Sequence, residues 1–66
     1  MDKEQIASRL KSLRGGKSQQ EVAAAVGITP MAISLYESGE RIPRDEIKVK
    51  LAEYYGTTVD AIFFAN

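Results

Sequence analysis

The sequence has no cysteine and no histidine among its 66 residues. The absence of cysteine excludes disulfides, and the two absences together remove the usual ligands of a structural zinc ion. A domain of this length buries only a modest share of its surface, so its own core provides limited stability. We therefore expect support from a second subunit rather than from a metal or any other cofactor.

The sequence also has no excess of charge of either sign and no long apolar run. Nine basic and nine acidic side chains give a formal net charge of +0, which neither requires nor excludes a polyanionic partner. No apolar run approaches the length of a membrane span, and residues 1–14, which interleave charged and apolar residues, do not resemble a signal peptide. These features predict a soluble cytoplasmic protein that does not enter a membrane.

Apolar residues recur at helical spacing in several short segments, and strand signals are almost absent. The first four segments end at or next to a glycine, and several begin with a residue that can cap a helix, such as Ser18 or Thr29. Short connections fill the rest of the chain and leave no room for a second domain. Residues 1–66 are therefore predicted to form one all-α domain with helices at about 3–14, 18–26, 29–38, 44–55 and 58–64.

The apolar positions of these helices predict the core. Ile6, Leu10 and Leu13 share one face of the first helix, and all three are expected to be buried. The fourth helix also carries Lys48 and Lys50, which we interpret as solvated surface charges.

The third predicted helix has apolar residues on two opposite sides. At about 100° per residue, Ile33 and Tyr36 lie on one side, whereas Met31 and Leu35 lie on the other. The first pair is expected to face the core and the second to be displayed. Helix 2, a short turn containing Gly27 and helix 3 also match the helix-turn-helix unit, whose second helix enters the major groove of DNA.

A family resemblance extends over much of the chain and is strongest from residue 18 to residue 43, SQQEVAAAVGITPMAISLYESGERIP. This run resembles the helix-turn-helix of phage Cro/repressor-type regulators, also called Xre-like proteins. The shared features are Ser18-Gln19, Val22-Ala23, Val26-Gly27-Ile28, Ile33, Glu37, Gly39 and Pro43. The resemblance implies a five-helix lambda-repressor-like domain, double-stranded DNA as its partner, and a role as a transcription regulator, specifically a repressor.

The resemblance also implies which residues contact DNA bases. The exposed face of helix 3 would do so, here with Pro30, Met31, Ser34 and Leu35. Met31 and Leu35 cannot form bidentate hydrogen bonds, but they can pack against the thymine methyl group, and Ser34 can bond to several base edges. The alternatives are that the two apolar side chains are ordinary surface or cover a neighbouring helix, and that Pro30 serves only the helix start.

Phosphate contacts are expected from the start of helix 2 and from nearby bases. The family anchors phosphate with residues equivalent to Ser18 and Gln19, and Ser18 can cap helix 2 at the same time. In such a fold Lys17, Arg41 and Arg44 would lie on the side of helix 3, although each is alternatively a solvated surface charge. Gly16-Lys17-Ser18 also matches the end of a nucleotide-binding loop, but no strand precedes it and the required first glycine is absent.

Two further roles follow from the resemblance. Arg14 would form a partly buried ion pair with Glu37, tying helix 1 to helix 3, with a phosphate contact by Arg14 as the alternative. The last helix would form a homodimer interface containing Val59 and Phe64, although Val59 can also fill the core and Phe64 can be a second core aromatic. Such a dimer would read an inverted repeat whose half-sites lie about 34 Å apart.

The sequence also bears on two other classes of function. An enzyme is disfavoured because the chain lacks histidine and cysteine and is too small for an enclosed cleft. A protein-binding role is stronger, in which the face of Met31 and Leu35 binds an antirepressor or a toxin, as in antitoxins that share this motif. Base-specific loss of DNA binding in Met31→Ala and Leu35→Ala would favour DNA, and loss of a co-purifying protein alone would favour the protein partner.

Overall fold

The computed structural model describes residues 2–65, so that Met1 and Asn66, the ends of the predicted domain, lie outside the described residues. The helices are α1 (Lys3–Arg14), α2 (Gln19–Val26), α3 (Pro30–Glu37), α4 (Asp45–Tyr54) and α5 (Asp60–Phe64). The predicted all-α fold with five helices is confirmed, and residues 2–65 contain no strand. No helix in this part of the chain is both long enough and apolar enough to cross a bilayer.

At four points where a helix or a turn begins, a side-chain oxygen accepts a hydrogen bond from a backbone N–H group. The capping residues are Asp2, Ser18, Thr29 and Thr58. The caps expected at Ser18 and Thr29 are thus confirmed. Both residues have an extended backbone, so α2 and α3 each begin one residue later than the sequence-based bounds.

The last helix differs in kind from the expected one. It begins at Asp60 rather than at residue 58, and it is a single turn of π-helix. In a segment of five residues, apolar spacing does not distinguish the wider π turn from an α turn. The wider turn buries the adjacent side chains of Ile62 and Phe63, each only 1 % exposed.

The core lies where the inner faces of all five helices meet. Its buried apolar members are Ile6, Leu10, Val22, Ala23, Val26, Ile33, Tyr36, Ile47, Leu51, Ala52, Ile62 and Phe63. Leu13 was predicted to belong to this core, and that prediction is wrong because the residue is 36 % exposed. Burial along α1 ends at Leu10, and the last turn of the helix is instead held by polar contacts of Arg14.

The prediction that Lys48 is a solvated surface charge is also wrong. Its residue surface is only 8 % exposed, and its Nζ lies 3.3 Å from Asp45 Oδ1 and 5.8 Å from the centroid of the Phe63 ring. The aliphatic stem is covered by the core while the ammonium keeps a carboxylate partner at the edge, as is usual for a lysine at such a position. Lys50, two residues further on, is exposed.

The turn between α2 and α3 sets the angle of the helix-turn-helix unit. Gly27 ends α2 with φ 84°, in the left-handed region that glycine adopts without strain. The N–H groups of Gly27 and Ile28 both donate to the Ala23 carbonyl, at 2.8 and 2.9 Å. The small side chain of Ala23, itself buried, lets the two helices pack closely, so that the outer face of α3 points away from the core.

Candidate nucleic-acid interface

The outer face of α3 carries the residues that were predicted to contact bases. Pro30, Met31 and Ser34 are exposed there, and Met31 keeps 69 % of its surface accessible. Leu35 is half-buried, and its carbonyl accepts the N–H groups of the following loop. The structure therefore brings all four residues onto one helix, with Met31 and Ser34 in the open and Leu35 at the margin of the face.

The start of α2 carries three of the residues predicted to contact phosphate. Ser18 Oγ accepts the N–H of Glu21 at 3.0 Å, which leaves other N–H groups of the first turn directed outward. Lys17 is exposed, and its ammonium lies 5.2 Å from the centroid of the Tyr54 ring. Gln19 is half-buried, and its amide donates to Glu37 Oε1 at 3.3 Å.

Arg14 and Glu37, the residues of the predicted ion pair, lie in contact. Arg14 Nε donates to Glu37 Oε2 at 2.8 Å, and the Glu37 side chain is only 4 % exposed. A second guanidinium nitrogen donates to the Lys17 carbonyl at 2.6 Å. The hydrogen bond to Glu37 raises the pKa of Arg14, so the guanidinium stays charged. Arg14 thereby fixes the end of α3 relative to the loop that leads into α2.

Glu37 is the centre of a small polar cluster beneath the interface. Its two carboxylate oxygens are bonded by Arg14 and Gln19, which belong to different helices. Tyr55 packs nearby, and its pKa is raised to about 12. Burial is the main cause, and the negative charge of Glu37 is the second. This cluster couples the start of α2 to α3, the two elements expected to touch DNA.

Arg41 and Arg44 lie in the segment that joins α3 to α4, and both are exposed. They line one groove of about 510 Å³ together with Thr29 and Ala32 at the beginning of α3. Arg44 is paired with Glu46 at 3.4 Å, but both side chains are largely exposed, so this pair is weak. Arg41 and Arg44 thus lie beside the beginning of α3.

The predicted dimer residues have different surroundings. Val59 is half-buried against the core, whereas Phe64 is 54 % exposed. Sequence reasoning missed Arg9, which reaches from α1 to donate to the carbonyls of Ile62 and Ala65, both at 2.8 Å. No spacing signal pointed to these bonds, because they join residues more than fifty positions apart.

Within residues 2–65, no three acidic side chains come together in a way that would hold a metal ion. What the described residues do present is a helical domain in which α2 and α3 form a helix-turn-helix unit. The outer face of α3 is exposed and is flanked by the start of α2 and by two arginines. These features define a helix-turn-helix domain of the kind that binds DNA.

Comparison with known families agrees with this class. The sequence model of a family described as helix-turn-helix matches residues 6–62, and the chain belongs to that family of Cro/repressor-type, Xre-like proteins. The resemblance inferred from residues 18–43 is thus confirmed, and the family's members are DNA-binding regulators. Neither the curated proteins nor the solved structures include a significant match to the chain.

Proposed function

We propose that this protein is a cytoplasmic, sequence-specific repressor that binds an inverted-repeat operator as a homodimer. Repression would follow from occupancy, because a bound dimer blocks access of the polymerase to the promoter. The observation that carries the proposal is the outer face of α3, where Met31 remains 69 % exposed on the side of the helix that points away from the core. Such a helix is the element that enters a major groove.

Base recognition is assigned to Pro30, Met31, Ser34 and Leu35. Two of these side chains are flexible and apolar, which suits contact with thymine methyl groups, and Ser34 supplies a hydroxyl that can donate or accept. Because Leu35 is half-buried, it would contact only a base at the edge of the recognition site. The recognised half-site should therefore be rich in thymine at the step opposite Met31.

Phosphate binding is assigned to Lys17, Ser18, Gln19, Arg41 and Arg44. The helix start at Ser18 offers backbone N–H groups, and the two arginines line a groove at the beginning of α3. Since the formal net charge of the chain is +0, affinity depends on this local cluster rather than on the whole molecule. Binding by one domain should be modest and should fall steeply with salt.

A homodimer would compensate for a modest half-site affinity, because the second contact then becomes intramolecular. Phe64 is the side chain that we assign to the interface, and its exposure supports the assignment. Val59 contributes from a half-buried position that already contacts the core. Two recognition helices held about 34 Å apart would read the two halves of the operator.

A second candidate function is binding of a protein, such as an antirepressor or a toxin, by the outer face of α3. The apolar character of Met31, with 69 % of its surface exposed, favours this candidate as well. The substitution Met31→Ala distinguishes the two functions. It should weaken DNA binding if the face reads DNA, and it should weaken binding of the protein partner if the face binds a protein.

Selection of bound duplexes from a random pool at low salt tests the proposal. We expect an enriched inverted repeat with thymine-containing half-sites. The same selection with Met31→Ala should relax the preference at one position in each half-site. Val49→Ala, which truncates an exposed apolar residue on α4, is the matched control and should leave the enriched sequence unchanged. Folded wild-type protein that enriches no sequence would contradict the proposal and would favour a protein partner.

A further inference from the structure

The groove between the beginning of α3 and the segment that leads into α4 has apolar walls. Its volume of about 510 Å³ is within the usual range of sites that bind small molecules. Four aliphatic residues from the α2–α3 turn, α3, the connecting segment and α4 line it, namely Ile28, Ala32, Ile42 and Ile47. The first three pack against the core but remain only partly buried. The folded chain therefore leaves part of this apolar surface uncovered.

The charged residues that line the same groove are basic. They are Arg41 and Arg44, and no acidic residue among residues 2–65 joins them in the lining. Within these residues Arg41 forms no ion pair, and the pair of Arg44 with Glu46 is exposed and weak. Two other grooves of the domain are each lined by both acidic and basic residues. The groove beside α3 thus favours an anion.

Two hydroxyl groups add hydrogen-bonding capacity to the lining. Tyr36 is only 7 % exposed, and its hydroxyl forms no hydrogen bond with any of residues 2–65. No fully buried side-chain oxygen in this part of the chain lacks a partner, so the Tyr36 hydroxyl must be reached by solvent. Thr29 Oγ1 accepts the N–H of Ala32 at 3.1 Å, and its own hydrogen can still be donated. Both hydroxyls can therefore donate to an anion.

We propose that this groove binds a small organic acid and that the bound acid releases DNA. The carboxylate would pair with Arg41 and Arg44, since guanidinium groups bind carboxylates through two parallel hydrogen bonds. An aromatic or branched body would cover the aliphatic walls. Inorganic phosphate or a sugar phosphate would use the arginines but leave these walls uncovered, so an acid with an apolar body fits the whole groove better.

The two parts of the inference have different foundations. Binding of the acid depends only on the groove. Release of DNA rests on the proposed function, in which the same two arginines bind DNA phosphates, so that an acid held by them would compete with DNA. The groove would then be the site through which a small molecule regulates the repressor.

Titration of the protein, labelled at its isoleucine δ1 methyl groups, with 3-phenylpropanoate tests binding in the absence of DNA. Ring currents should shift the methyl resonances of Ile28, Ile42 and Ile47 in a saturable way, with a dissociation constant on the order of 1 mM. The methyl groups of Ile6 and Ile62, which lie in the core, should change little. The amide 3-phenylpropanamide lacks the charge and acetate lacks the apolar body, so each should bind at least roughly tenfold more weakly.

Variants identify the groups that hold the acid. Arg41→Gln and Arg44→Gln should each raise the dissociation constant of 3-phenylpropanoate roughly fivefold. Tyr36→Phe should raise it roughly threefold without lowering the unfolding free energy in urea, because the lost hydroxyl has no partner in the fold. The matched controls are Lys50→Gln and Tyr54→Phe, which alter residues of another groove and should leave binding unchanged.

Competition with the selected duplex, cut to one half-site, tests the release of DNA. At about ten times its own dissociation constant, 3-phenylpropanoate should raise the apparent dissociation constant of the duplex about 11-fold. Acetate at the same concentration matches the ionic strength and should have no such effect.

The outcomes separate the inference from the proposed function. Absence of methyl shifts, or equal binding of the acid and the amide, would overturn the acid site and leave DNA recognition to be decided by duplex selection. Methyl shifts at the groove with unchanged DNA affinity would overturn the release of DNA. If the wild type selects no duplex, the proposed function and the release of DNA fail together, and the methyl titration alone decides whether the groove binds the acid.

Discussion

Shortening Met31 to alanine is expected to weaken DNA binding at thymine-containing sites while leaving the fold intact. Full burial of a methionine side chain is worth about 1.5–3 kcal/mol relative to exposure. Because 69 % of Met31 is exposed in the free protein, contact with DNA can bury at most about two-thirds of the full surface of the side chain. The expected loss is therefore about 1–2 kcal/mol for each half-site, or about 5- to 30-fold in the dissociation constant per half-site.

The assay is a thermodynamic cycle measured by fluorescence anisotropy at one salt concentration. One arm changes Met31 to alanine, and the other replaces the selected thymine by deoxyuridine, which lacks only the C5 methyl group. If Met31 contacts that methyl group, deoxyuridine should weaken binding by the wild type but have little further effect on Met31→Ala. The unfolding free energy of the variant should stay within about 0.5 kcal/mol of the wild type, since Met31 is not part of the core.

Two results would refute this reasoning. Independent, additive losses from Met31→Ala and deoxyuridine would show that the side chain and the methyl group do not meet. Equal weakening on the selected duplex and on a random duplex would show that Met31 acts without sequence preference. Val49→Ala is the control for the loss of an exposed apolar side chain elsewhere. It should bind the thymine duplex and the deoxyuridine duplex with the same affinities as the wild type.

Three other predictions concern phosphate contacts, the turn and the polar cluster. Arg41→Gln and Arg44→Gln should each reduce the slope of log Kd against log salt by about 2, one for each subunit of the homodimer, without changing sequence preference, and an unchanged slope would remove that arginine from the interface. Gly27→Ala should lower the unfolding free energy in urea by about 1–2 kcal/mol because its φ is 84°, whereas Gly16→Ala, with open space around it, should be nearly neutral; equal effects would contradict the turn argument. Tyr55 keeps its proton more tightly in the folded state, with a pKa of about 12 against 10.0, so its stabilising contribution is present below about pH 10 and is lost as the pH rises towards 12. Tyr55→Phe should therefore show a smaller loss of stability than the wild type over that pH range, and identical losses would contradict the assignment.

The fold class was accessible from the sequence because local signals agreed with one another. Ser18 and Thr29 marked helix starts through their capping chemistry, and Gly27 marked the turn. Ile33 and Tyr36 at helical spacing identified the inner side of α3, and both are buried. Each of these signals acts within one helix or turn, where the physics depends on near neighbours in the chain.

The features that were missed depend on contacts between distant parts of the chain. Lys48 is covered because the rings of the last turn pack over α4, and Arg9 bonds to carbonyls of that same turn. Leu13 fits the apolar period of α1 but lies past the point where the other helices cover it. Periodicity assigns a residue to a face of a helix, but it does not determine how far along the helix that face is covered.

The roles of the site residues remain predictions, because they depend on contacts with DNA. The fold alone does not define the DNA that the protein binds. Met31 and Ser34 are exposed on the outer face of α3, and Arg41 and Arg44 line a groove together with residues at the beginning of that helix. It also shows Gln19 bonded to Glu37, so a phosphate contact by Gln19 must leave or share that bond.

The most direct test of the central claim is a nuclear magnetic resonance titration of the ¹⁵N-labelled protein with the selected duplex. If the outer face of α3 reads DNA, the largest amide shift changes should fall on residues 30–35 and on the first turn of α2, with smaller changes at Arg41 and Arg44. Lys50 and Val49 on α4 should change little. Saturable binding that leaves the amides of α3 unshifted would contradict the account, because DNA would then contact another surface of the domain.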